Sequence, residues 1–190
     1  MNTKNNISKK ILLAVAAGMA AGGLTIALAV APGLGHALKP FAQWYGSENR
    51  RNRYRIRKTF ARLRRERLIE MSESPTGELK VVLLEGGQNR VLQYKLDELR
   101  IEPAKKWDKK WRMVIFDIPE SMKKARNALR EKLQNLGFHQ IQKSVWVYPY
   151  ECKNEIDFVA EIFDVSPYVR MAEALRFDGE EEIKRKFGLT

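Results

Sequence analysis

Lys106-Trp107-Asp108-Lys109-Lys110-Trp111-Arg112-Met113-Val114-Ile115-Phe116-Asp117-Ile118-Pro119-Glu120 is the stretch that decides how this chain is built. A basic approach carrying two tryptophans runs into an apolar strand, Arg112 to Phe116. The strand ends in one carboxylate, Asp117, followed by a proline and a second acid, Glu120. Mixed sheets commonly place chemistry or a metal at the carboxyl end of a strand. The role of Asp117, as a reactive group or as a helix cap, therefore matters to the whole reading.

Downstream of this strand the pattern is β-α-β-β-α-β. Ser121 to Leu136 predicts a helix, with Ala125, Ala128, Leu129, Leu133 and Leu136 at helical spacing and Gly137 as its cap. Phe138–Gln142 and Val145–Tyr148 predict strands, Asn154–Phe163 a second helix and Val169–Leu175 a last strand. Glu180–Lys186 predicts a terminal helix. This is the ferredoxin-like order, which leaves a flat sheet face and edge strands suited to a homodimer.

Upstream, the charge is uneven. The chain carries a formal net charge of +12, and Arg50 to Glu70 alone holds ten Lys or Arg against two Glu, a net of +8. So concentrated a patch points to a polyanion, double-stranded DNA first and an anionic membrane surface second. A helix is expected from Arg50 to Arg67, with Ile56, Phe60 and Leu63 forming a buried stripe at i, i+4 and i+7. Leu68–Met71, the turn Ser72–Gly77 and the strand Leu79–Leu84 then predict a hairpin, and Glu85–Leu96 a short helix. A basic helix followed by a hairpin is the pattern of a winged helix-turn-helix, the helix entering the major groove. Asn52 and Arg53 are the expected base contacts. Arg55, Arg57, Arg62, Arg64 and Arg65 are the expected phosphate contacts.

At the N-terminus, Ile11 to Ala31 is 21 residues without a charge, long enough to span a bilayer core. Lys4, Lys9 and Lys10 precede it, Gly18 and Gly22 make a G-x-x-x-G step, and Pro32-Gly33 stops it. Three readings compete. The first is a membrane anchor through residues 11–31, with the more basic C-terminal side in the cytoplasm. The second is a soluble helix buried in the DNA-binding module or a dimer interface. The third is a secretory signal cleaved near Ala29-Val30-Ala31. Leu34–Tyr45 predicts an amphipathic segment, and Gly46-Ser47-Glu48-Asn49 a break before the basic helix.

Cys152 is the only cysteine, which excludes an internal disulfide and a cysteine-based zinc site and suits a reducing compartment. His36 and His139 stand in no metal-ligand spacing and are read as structural.

Several motifs together carry a resemblance. Lys106-Trp107-Asp108, Trp111-Arg112, Phe116-Asp117-Ile118-Pro119-Glu120, Gly137-Phe138 and Gln142-Lys143-Ser144-Val145-Trp146-Val147-Tyr148-Pro149-Tyr150 resemble the PaaX-like transcriptional repressor family. They match its central domain, which is similar to CRISPR-associated protein 2, over roughly residues 105–188. The repressor branch implies operator binding as a dimer and release on binding an acyl-CoA-type effector. The CRISPR branch implies a dimer that docks an integrase and binds duplex DNA. Some of its members are metal-dependent nucleases using an Asp at the end of the first strand, a position matched here by Asp117. Two such carboxylates across a dimer axis would hold Mg²⁺. Glu120 falls where those proteins often carry another acid. This chain departs from the nuclease picture in its N-terminal elements, in Pro119 and in the lack of a nearby histidine. Against metal binding stands an Asp117 cap on the helix starting near Glu120. For Trp107, Trp111 and Trp146, packing in the core or a dimer interface stands against stacking on bases or an effector ring.

The expected protein is α+β. Residues 1–46 form the apolar helix and connector, 47–98 the winged helix-turn-helix, 99–110 the linker and 111–190 the ferredoxin-like domain. It is expected to regulate transcription without catalysis or cofactor. The alternative is a Mg²⁺-dependent nuclease or CRISPR-adaptation subunit using Asp117.

Overall fold

The computed structural model describes residues 3–20, 25–26, 50–73 and 79–189. It divides into two compact units, Met1–Asp97 and Glu98–Thr190. Both mix helices with an antiparallel sheet, the α+β class expected.

The first unit contains α1 (Thr3–Ala20), β1 (Thr25–Ile26), α2 (Arg50–Arg65), β2 (Ile69–Glu73), β3 (Leu79–Leu83) and α3 (Glu85–Glu98). Its sheet order is β1-β3-β2, with Thr25 opposite Lys80 and Ile69 opposite Leu83. Ile56, Phe60 and Leu63 are buried, as their spacing demands, and meet Ile69, Val81 and Leu83 from the hairpin. Ser72 and Glu73, expected in the turn, extend β2. The remainder of that turn, Ser74–Gly77, lies outside the described residues, as do Ala29–Ala31, Pro32-Gly33, Leu34–Tyr45 and Gly46–Asn49.

The reading of Ile11–Ala31 as one membrane-spanning helix needs correction. The helix begins eight residues earlier, at Thr3, and by Thr25–Ile26 the chain is extended and paired with Leu79–Lys80. Ile7, Ile11, Leu12 and Val15 are buried in the same core as Phe60 and Val81. Each such burial contributes about 1.5–3 kcal/mol, so the apolar side chains of α1 are spent on a protein core. Among the described residues no helix is long and apolar enough to cross a membrane.

The second unit contains β4 (Trp111–Phe116), a 3₁₀ turn (Glu120–Met122), α4 (Lys123–Asn135), β5 (His139–Gln142), β6 (Val145–Tyr148), α5 (Lys153–Ile162), a 3₁₀ turn (Ser166–Tyr168), β7 (Val169–Ala174) and α6 (Glu180–Phe187). The sheet runs β5-β6-β4-β7 with every neighbouring pair antiparallel. Register puts Trp111, Met113 and Ile115 on one face with Val145 and Val147, and Arg112, Val114 and Phe116 on the other with Trp146. Trp111 and Val147 are covered by Ile183 and Phe187 of α6. On the opposite face Val114, Phe116 and Trp146 are buried, as are Leu129 and Leu133 of α4 and Ile156 and Val159 of α5.

Several helix ends close in the same way. Leu68 N–H bonds to Leu63 O, Phe138 N–H to Leu133 O and Val165 N–H to Ala160 O, at 2.8–3.0 Å. Each bond spans five residues around one left-handed residue, Arg67, Gly137 and Asp164 respectively. Gly137 takes this conformation without strain, as the sequence predicts, while Arg67 and Asp164 each adopt it at a cost of about 1–2 kcal/mol.

Candidate nucleic-acid interface and the Asp117 turn

An α-helix turns 100° per residue, so burial of Ile56, Phe60 and Leu63 fixes where the other side chains of α2 point. Tyr54, Lys58, Ala61 and Arg65 follow one another at four, three and four residues and lie opposite the buried stripe; all are exposed. Arg57 and Arg64 flank that outer stripe on one side and are exposed. Arg55 and Arg62 flank it on the other and are half-buried. Asn52 and Arg53 belong to the helix, but their side chains lie outside the described residues.

The seven expected contacts are therefore not equivalent. Arg62 donates from its guanidinium to Ser8 Oγ of α1, and its Nε lies 3.7 Å from Glu66 Oε1. It ties α2 to α1. Beside it, a cleft of about 460 Å³ is lined among the described residues by Ile7, Tyr54, Lys58, Ala61, Arg62 and Arg65, with others. Tyr54 is 66% exposed, an aromatic ring amid cations. Reading the sequence for hydrogen-bonding side chains passed over it; its spacing of seven from Ala61, opposite the apolar stripe, was the available signal.

The tryptophan-bearing run is a clasp. The Arg112 guanidinium donates to both oxygens of Asp108 at 2.7 Å and to the carbonyls of Lys110 and Pro149 at 2.9 and 3.3 Å. Donation from Arg112 holds the Asp108 carboxyl at about 2. Lys110 adds an ion pair to Glu173 at 2.9 Å. Trp107 Nε1–H donates to Lys110 O at 3.0 Å, and its ring lies 5.0 Å from that of Trp111. Trp111 is fully buried and donates to Glu180 Oε2 at 3.0 Å. That bond fastens the first turn of α6 to the sheet and lowers the Glu180 pKa. Trp146 is buried as well, and its indole N–H meets no acceptor among the described residues. Packing accounts for Trp111 and Trp146, and neither ring is exposed for stacking on a base.

Asp117 is exposed at the end of β4, and its backbone N–H donates to Tyr168 O at 3.1 Å. The expected helix cap is not made: the 3₁₀ turn is preceded by Pro119 with no side-chain cap, and α4 by Met122 with none. Glu120 is engaged by cations, Arg126 at 2.6 Å and Lys123 at 3.6 Å, and the bond from Arg126 lowers its pKa. Arg126 also donates to Ile118 O at 3.2 Å, bracing the turn. Among the described residues no group of three or more His, Cys, Asp or Glu could hold a metal. One exposed carboxylate whose companion acid is neutralised by two cations is a donor set that does not fit Mg²⁺ within one protomer.

Of the remaining titratable groups, His139 is half-buried, and burial followed by the charge of Lys186 lowers its pKa. Cys152 is buried and its thiol is pushed up to about 12, an inert side chain.

A family model described as the PaaX protein central Cas2-like domain matches residues 104–185. No curated protein matches the chain.

Proposed function

We propose that this chain, whose residues 104–185 match the model of the PaaX protein central Cas2-like domain, is a DNA-binding transcriptional regulator of that family acting as a dimer. The observation that carries this reading is the outward side of α2, where Arg57, Lys58, Arg64 and Arg65 are all exposed. The helix is followed, after the three residues 66–68, by a two-stranded hairpin, β2–β3. The helix is read as the recognition helix of a winged helix-turn-helix at 47–98 and the hairpin as its wing. Exposed arginines and lysines neutralise phosphates and release counterions, which supplies affinity without sequence choice.

The second unit is read as a ferredoxin-like domain that dimerises. Its strand order and antiparallel pairing support this reading. So does the uncovered end of one sheet face. There Ile115, 39% exposed, stands opposite half-buried Val145, past the Trp111–Val147 cluster that α6 covers. A second copy would bury this apolar strip. An acyl-CoA-type effector rests on the family match alone.

The alternative is cleavage by Asp117, which is exposed at a strand end. One gel separates the two. The full chain and Asp117→Ala are incubated with labelled duplex DNA and single-stranded RNA, in Mg²⁺ or in EDTA. A duplex shift in both buffers, with intact nucleic acid and no effect of the substitution, supports the regulator. Fragments that require Mg²⁺ and vanish with Asp117→Ala overturn it.

A further inference from the structure

Taking the DNA-binding reading as its basis, we infer that Tyr54 and Lys58 are the residues through which α2 reads base edges, and that the flanking arginines contact phosphate only. The division follows from the three stripes of the helix. A helix about 10–12 Å across fills a major groove about 12 Å wide, so its outermost stripe faces the groove floor and its flanks face the two backbones. On α2 the outermost stripe is Tyr54, Lys58, Ala61 and Arg65, and the exposed flank is Arg57 and Arg64. The other flank is partly occupied, because Arg62 is bonded to Ser8 of α1.

Composition along the outer stripe supports the assignment. Ala61 has no side chain beyond its Cβ, so the helix can lie close to its target there. Among the described residues the Tyr54 ring, 66% exposed, stands outside the buried cluster of this unit. An aromatic body with a hydroxyl tip suits a thymine methyl together with a neighbouring base edge, and a lysine suits the O6 and N7 of guanine. Tyr54 and Lys58 are one helical turn apart, about 6 Å along the axis. That separation matches about two base steps of 3.4 Å each. The preferred half-site therefore holds a thymine and a guanine two steps apart.

The test begins with selection of preferred duplexes from a randomised pool by the full wild-type chain. Affinities for a selected and a shuffled duplex are then measured over a range of salt for wild type, Tyr54→Ala and the double variant Arg57→Ala/Arg64→Ala. Circular dichroism confirms that each variant is folded. Tyr54→Ala is expected to lower the ratio of selected to shuffled affinity about tenfold, leaving the salt slope unchanged. The double arginine variant is expected to weaken both duplexes alike and make the slope shallower by about 2. A ratio unchanged by Tyr54→Ala, or a wild type with no preference, overturns the inference and leaves DNA binding standing. A wild type that binds no duplex overturns the functional reading itself.

Discussion

Gly87 is the position where one methyl group should do the most damage to the proposed DNA-binding unit. It lies in the first turn of α3, buried against the residue that joins α2 to the hairpin. A Cβ there would stand 2.0 Å from Leu68 O, 3.0 Å from Leu68 C and 3.1 Å from Leu83 Cδ2. The obstructing atoms are mostly backbone, and Leu68 O already accepts the Leu84 N–H at 3.1 Å. Relief therefore requires α3 to move away from the hairpin root. Overpacking of this kind costs about 1–3 kcal/mol, and a clash with backbone belongs at the upper end. Alanine returns up to about 1 kcal/mol through helix propensity. The net for Gly87→Ala is a loss of about 2 kcal/mol. Gly86 supplies the control, since it is exposed and its added Cβ would meet only Leu68 Cδ2 at 3.2 Å and Leu68's neighbour, Arg67 O, at 3.5 Å. A flexible side-chain tip can give way, so Gly86→Ala should stay within about 1 kcal/mol of wild type. Hydrogen exchange at the Leu84 amide reads the effect where it acts. A loss of 2 kcal/mol corresponds to about thirtyfold faster exchange. Equal exchange rates in the two alanine variants would refute the close approach of α3 to Leu68.

Three other outcomes follow from the ion pairs and the buried thiol. The Asp108 carboxyl sits at about 2 against an ordinary 3.8 because Arg112 donates to it, so its contribution is full above the unfolded value and lost as pH falls through about 2. Its side chain is 47% exposed, and after discounting for screening the contribution is about 1 kcal/mol. Asp108→Asn should therefore lose less stability than wild type between pH 5 and pH 2 in urea titrations. Identical acid limbs would show that the clasp adds nothing. Arg62→Ala should lower stability by about 1 kcal/mol while leaving the salt slope of DNA binding close to wild type, because Arg62 is bonded to Ser8. A slope reduced as far as that of Arg57→Ala would return Arg62 to the phosphate set. Cys152 should resist a thiol reagent in the native chain at pH 8 and react on denaturation, as burial pushes its thiol up to about 12. Native labelling at the rate of a free thiol would contradict its burial.

What the sequence disclosed and what it concealed divide along physical lines. Val145–Tyr148 forms a strand with the bounds expected of this short apolar run, and α2 buries the Ile56, Phe60 and Leu63 stripe that spacing predicts. These are local patterns, and local sterics decide them. Residues 11–31 read differently because an uncharged, Ala-rich segment has the same composition whether lipid or protein surrounds it. Pairing of Thr25–Ile26 with residues 79–80 is a tertiary fact with no local signature. The run at 106–112 left packing and stacking both open for its tryptophans and gave no sign that Arg112 gathers Asp108 and two carbonyls around itself. Only the fold brings Glu180, 69 residues from Trp111, within reach of its indole. Asp117 has the residue type of a helix cap, but Pro119 and the 3₁₀ turn start the helix too late for it to reach.

The central claim is that the exposed side of α2 holds duplex DNA through its arginines. The most direct test is the affinity of the full chain for a mixed-sequence duplex as a function of salt, compared with Arg57→Ala/Arg64→Ala/Arg65→Ala. The account predicts a linear fall of log affinity with log salt in the wild type and a slope shallower by about 2 in the triple variant, at about 0.9 for each of the two flanking phosphate contacts, Arg57 and Arg64. A folded triple variant with the wild-type slope would contradict it.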